Sequence, residues 1–260
     1  MLQIFLDIET IPDQRVGALQ KLINAEKREF KAPSNLTKTD AIEALKKHGY
    51  AFDNDPKFIA APEIKAIYER ELSEVMAEPQ AREKWHKTGL NGAYGQVFCI
   101  AVSFHHPSYP DDLEPTAVVL YDSQGSESRL LEMFIFAIQE VIKKTNTHKD
   151  AVQFIGHNVW WDLGFLFKRC VINGIKPPVN LQPKRYSDSV IDTMQLWCGH
   201  EGRISLGELC DVLGVPTPKD GIDGSQVWQN VQDGNIERVL EYCKADVIAT
   251  RECYKRLTFN

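Results

Sequence analysis

Asp7 and Glu9 end the apolar opening of the chain, "LQIFLDIETIPD", with Ile8 between them. Side chains on a strand alternate with period two, so the two carboxylates face one way and Ile8 the other. Like charges held that close repel, and burial sharpens the repulsion. Two readings follow. The strand emerges into solvent, where carboxylates cost little, or a divalent cation converts the repulsion into ligation. The second reading requires more carboxylates for the same place.

Two later stretches offer them. "FIGHNVWWDLGFLFKRC" carries Asn158 and, four residues on, Asp162. "EYCKADVIATRECY" carries Tyr242 and Asp246 at i and i+4, one turn apart on one helix face. Taken singly, each has an ordinary explanation: Asp162 as a helix cap, Asn158 as a turn residue, Asp246 as a surface acid beside a half-buried tyrosine. Trp160 and Trp161 either fill a core or offer a base a stacking face that tolerates any sequence.

The elements that must position these residues are legible as patterns. Runs rich in Val, Ile and Phe at 3–7, 97–104, 116–121 and 152–155 read as strands. "SESRLLEMFIFAIQEVIKK" has helical spacing, with Ser126 as its cap. Further helices are expected at about 163–173, in "SLGELCDVLG" between a Ser205 cap and a Gly214 stop, and at about 235–257. Strands and helices in this order predict an α/β domain with a mixed sheet. Residues 14–91 depart from it. They read as helices dense in mixed charge, a helical insertion between the first and second strands that acts as a lid or as a grip on a polymer. The Pro-rich loop "INGIKPPVNLQPKRYSDS" reads as an exposed connection.

Bulk composition sets limits. The 260 residues, 43% hydrophobic and 25% charged, suit one domain with an elaboration. A net charge of −6 argues against coating duplex DNA by charge alone, while leaving room for local basic patches. No apolar run reaches membrane-spanning length, and the start of the chain lacks a signal-peptide pattern. Six cysteines without a CxxC pair read as reduced thiols of a cytoplasmic protein. Cys198 and His200 would be half a zinc site with no second half.

A strand with DxE, a strand-to-helix junction with Nx3D and a C-terminal helix with Yx3D follow one another in that order. The combination resembles the DEDD superfamily of 3′–5′ exonucleases, and the tyrosine resembles its DEDDy branch. "FLDIETIPD", "YGQVFCIAVSF", "FIGHNVWWDLGFL", "DTMQLW" and "SLGELCDVLGVPTPKDGIDGSQVW…EYCKADVIAT" narrow the resemblance. They are similar to stand-alone proteins related to the exonuclease domain of family B DNA polymerases. The resemblance covers the first strand and most of the chain after residue 92. Trp161 stands where related exonucleases often carry Phe or Tyr, and the 14–91 segment matches the superfamily core poorly.

The resemblance implies a single ribonuclease H-like domain over 1–260, with the 14–91 insertion inside it. It implies that Asp7, Glu9, Asp162 and Asp246 hold two divalent cations, Mg²⁺ or Mn²⁺, with Tyr242 completing the catalytic set by orienting the attacking water. Such paired ions clamp the attacking and leaving oxygens of a phosphodiester. Substrate contacts are expected from Thr10, Asn158, Trp160, Trp161, Lys184 and Arg185. Arg203 is a further candidate, with solubility the ordinary explanation for the cations. Asp192 is expected to be structural. The implied activity is hydrolysis of single-stranded DNA from its 3′ end to 5′-mononucleotides. An exoribonuclease with the same chemistry, or a nucleic-acid-binding module with a relict site, stands as the alternative. All four carboxylates and Tyr242 are present, which argues against decay. No membrane association is expected, and the sequence names no protein partner.

Overall fold

In the computed structural model, which describes residues 1–108, 117–184, 187–217 and 222–260, the apolar opening becomes β1 (Leu2–Ile11) at the centre of a sheet. β2 (Gln96–His105) pairs antiparallel with β1, and β3 (Val118–Tyr121) pairs antiparallel with β2. β4 (Val152–Gly156) lies parallel on the other side of β1, and β5 (Val190–Asp192) lies parallel to β4. The order is β3-β2-β1-β4-β5, a mixed sheet as the element order predicts. The expected start of the third strand, at 116, lies outside the described residues.

The helices are α1 (Ala18–Glu29), α2 (Lys38–Lys47), α3 (Ala61–Lys87), α4 (Glu127–Thr145), α5 (Val159–Ile172), α6 (Thr193–Cys198), α7 (Leu206–Leu213), α8 (Val227–Gln232) and α9 (Ile236–Leu257). Their ends follow local chemistry. Ser126 accepts from the Arg129 amide at the start of α4. Ser205 and Glu208 form a capping box on α7, and Gly214 ends it in the left-handed region. α5 begins at Val159, four residues before the expected start, so Asp162 lies inside its first turn. β5, α6 and α8 escape the sequence patterns because each is too short to show a period.

The chain forms two compact units, 1–12 with 89–260, and 13–88. In the first, the two faces of β1 have different fates. Leu2, Ile4, Leu6 and Ile8 pack with residues of α4 and α5, including Leu131, Phe134, Leu163 and Leu166. Phe5, on the opposite face, packs with Val239, Cys243, Val247 and Tyr254 of α9. Burying each large apolar side chain contributes about 1.5–3 kcal/mol before entropy is counted, so strand register is strongly held. Asp7 and Glu9 share the parity of Phe5 and therefore face α9.

A buried ion pair ties α4 to α5 in the same unit. Arg169 donates to both Glu127 oxygens (2.8 and 2.6 Å), and the Val97 amide donates to Glu127 Oε1 (2.8 Å). The second unit has its own core, in which Leu45 of α2 packs with Ile64, Tyr68 and Leu72 of α3. Its two ends meet where the Asp13 amide donates to Thr88 Oγ1 at 2.8 Å. Among the described residues, no helix is long and apolar enough to cross a membrane. The six cysteines are free thiols.

Candidate active site

The strand places the first two carboxylates. Asp7 stands opposite Ala101 and Glu9 opposite Cys99 on β2, two small buried residues that pack in one cluster with Cys243 of α9. The pairing shifts between Glu9 and Thr10, so the strand changes course just past the second carboxylate. Thr10 turns its hydroxyl to the backbone, donating to the Gly89 carbonyl at 2.7 Å.

The third carboxylate arrives from the end of β4. A Cβ on Gly156 would lie 2.7 Å from the Val159 side chain and 2.9 Å from the Leu6 carbonyl oxygen, so only glycine fits. Asn158 then takes a left-handed conformation (φ 59°) and begins α5. One turn on, Asp162 accepts a hydrogen bond from the Ile8 amide at 3.2 Å. That bond fixes its carboxylate against the residue between Asp7 and Glu9.

The last helix brings the remainder. Tyr242 stands one turn before Asp246 on α9, and its hydroxyl and that carboxylate act on each other electrostatically. Cys243 points its thiol at Asp7 Oδ2, 3.5 Å away. Asp7, Glu9 and Cys243 are the only group of metal-ligating type that clusters within 4.8 Å among the described residues. Sequence reasoning missed Cys243. Its signal was the three-residue spacing to Asp246, which puts it beside that carboxylate on the helix surface, with Tyr242 flanking Asp246 on the other side.

Electrostatics show how crowded this site is. Burial, then the charges of Asp162 and Asp246, hold the Asp7 carboxyl well above the usual carboxylate range. Glu9 is raised by burial, then by Asp7, Asp246 and Asp162. Burial pushes Asp162 up to about 8 against the pull of the Ile8 amide, and Asp246 up to about 6 against the opposing pull of the Tyr242 hydroxyl. Tyr242 is raised by burial and then by Asp246, Glu9 and Asp7, so its hydroxyl keeps its proton at neutral pH. Cys243 is also raised, first by burial, and stays a neutral thiol. Carboxylates that cannot all ionise together fit hard cations, which prefer oxygen ligands and invert the sign of the repulsion. A neutral thiol is a poor ligand for such ions.

The expected substrate contacts divide. Asn158 and Trp160 line a cavity of about 870 Å³ with Gln195, His200 and Arg203. Trp161 is partly buried against the core and packs on Phe165, with ring centroids 5.2 Å apart. Lys184 is exposed, one residue from Pro183 of the cavity wall, and Arg185 lies outside the described residues. Asp192 is buried and caps α6 through the Met194 amide.

A mixed sheet whose central strand and last helix deliver carboxylates to one place defines an α/β fold of the ribonuclease H-like exonuclease class. The chain belongs to the family described as a predicted 3'-5' exonuclease related to the exonuclease domain of PolB, whose model matches residues 99–259. Comparison with curated proteins gave no match. The family supports a nuclease function for this chain. Asp162, Tyr242 and Asp246 lie within the matched residues, and Asp7 and Glu9 lie before them.

Proposed function

We propose that the protein is a DEDDy-type 3′–5′ exonuclease that hydrolyses single-stranded DNA from the 3′ end and releases 5′-mononucleotides. The observation that carries this reading is the hydrogen bond from the Ile8 amide to Asp162, which joins the DxE strand to the second acidic motif. Asp7, Glu9, Asp162 and Asp246 would hold two divalent cations, Mg²⁺ or Mn²⁺, as an all-oxygen donor set. When bound, such ions acidify water and stabilise charge on phosphoryl and leaving oxygens.

The chain's own groups do the positioning. Tyr242 keeps its proton, so it orients the attacking water and does not act as a base. Asp246 lies one helical turn from that hydroxyl and gives it a charged neighbour. Water adds to the terminal phosphorus and the bond to the 3′-oxygen of the neighbouring nucleotide breaks. Trp160 offers a stacking face and Asn158 an amide for the strand end. The relation of the family to the PolB exonuclease domain favours DNA over RNA. Six free thiols fit the reducing cytoplasm.

The test is digestion of 5′-labelled single-stranded DNA and RNA of one sequence, with Mg²⁺ or Mn²⁺, beside Asp246→Asn. The expected result is a ladder shortening from the DNA 3′ end, absent with EDTA and in the variant. A ladder on RNA alone would transfer the same chemistry to an exoribonuclease. Metal binding without cleavage of either strand would point to a nucleic-acid-binding module.

A further inference from the structure

One buried carboxylate stands behind the cavity and outside the acidic cluster. Asp192 ends β5 and is 4% exposed. Its Oδ1 accepts from two backbone amides, Asn158 at 2.9 Å and Met194 at 3.0 Å. The first bond holds Asn158 in the left-handed region, which asparagine tolerates better than most residues other than glycine. The second caps α6, whose next residue, Gln195, also lines the cavity. Beside it, Thr193 Oγ1 donates to the Gly156 carbonyl at 3.2 Å and contacts His157 Nδ1 at 3.0 Å. The ends of β4 and β5 are thereby clamped together.

Two further observations show that this is more than a helix cap. Asp192 Oδ2 is buried without a hydrogen-bond partner, an arrangement that costs stability. The Asn158 side chain makes no capping bond, and Asn158 lines the cavity. A left-handed corner and an unsatisfied oxygen occur together where two amide side chains border the same space.

We propose that Asp192 is a positioning residue: through the Asn158 backbone and the start of α6 it holds the Asn158 and Gln195 amides toward a DNA strand lying in this cavity. The inference rests on the exonuclease reading of the neighbouring carboxylates. It assigns Asp192 to substrate binding and leaves the chemical step to the acidic cluster.

The experiment measures kcat and KM with Mg²⁺ on a short single-stranded DNA for the wild type, Asp192→Ala, Asp192→Asn and Asn158→Gly. It also measures Kd for the same strand in Ca²⁺. Asp192→Ala should raise KM and Kd about tenfold with kcat within about threefold, the pattern of lost uniform binding. Asp192→Asn should restore both, because its amide oxygen accepts the same two backbone hydrogens. Asn158→Gly keeps the backbone conformation without the amide and should also raise KM and Kd.

Unchanged KM and Kd in Asp192→Ala, or an Asp192→Asn as weak as the alanine variant, would overturn the proposal. So would a fall in kcat at constant KM. If Asp192→Ala fails to fold, Asn158→Gly decides, and an unchanged Kd there overturns it. A wild type that binds DNA without shortening it sinks the exonuclease reading alone, and the Kd comparison still judges Asp192. A wild type that does not bind the strand refutes both.

Discussion

Tyr242 and Asp246 form a pair whose protonation follows from burial. The tyrosine hydroxyl stays protonated beside the Asp246 carboxylate, and both act electrostatically with Asp7 and Glu9. Removing the hydroxyl should leave substrate binding intact while the attacking water loses its guide. Tyr242→Phe is therefore expected to lower kcat by about 10–100-fold and change KM by less than about threefold. Steady-state digestion measures both, and an unchanged kcat would remove Tyr242 from the mechanism. The sequence supported this pair through helix periodicity alone. It did not show Cys243 against Asp7, because that contact spans 236 residues of chain.

At the level of elements, the junction of β4 and α5 controls where Asp162 sits. Gly156 lets β4 turn beside Leu6, Asn158 takes the left-handed corner, and Asp162 lands one turn later on the Ile8 amide. Gly156→Ala would press a methyl group into Val159 and the Leu6 carbonyl. Overpacking of this kind costs about 1–3 kcal/mol. The expected outcome is a lowered Tm together with a loss of nuclease activity larger than the folded fraction explains. Thermal melts beside assays at a temperature where the variant stays folded check it, and a wild-type Tm would show that the corner has room to relax. The long elements were readable from periodicity and caps, as Ser126, Ser205 and Gly214 show. β5 was not readable, since its three residues are held by pairing with β4 and carry no alternation of their own.

For the whole molecule, the acidic cluster links stability to pH and to metal. The carboxyls of Asp7, Glu9, Asp162 and Asp246 are all raised, with Asp162 moved from 3.8 to about 8. Above the unfolded values, the folded metal-free chain holds protons that the unfolded chain has released. Its stability must then fall as pH rises, until the folded carboxyls have ionised. In EDTA, the contribution of the cluster should lower Tm from about pH 5 to about pH 8, and Asp7→Asn should flatten that decline. Mn²⁺ should raise Tm most at the alkaline end, because it binds the ionised cluster. Melting curves at several pH values test this, and a slope identical in wild type and Asp7→Asn would show that Asp7 does not couple to stability.

The sequence by itself determined what short-range periodicity controls. A period of two put Asp7 and Glu9 on one strand face, and a four-residue spacing put Tyr242 and Asp246 on one helix face. The order of the motifs was enough to suggest the family. Only the tertiary structure decided that the strand, the α5 turn and the last helix converge. Ile8 meets Asp162 across 154 residues because β1 and β4 pair side by side in the sheet. The tie between Asp192 and the Asn158 corner likewise exists only once β5 has joined β4. Local spacing sets which face a side chain takes, but which faces meet depends on burying both sides of the sheet at once.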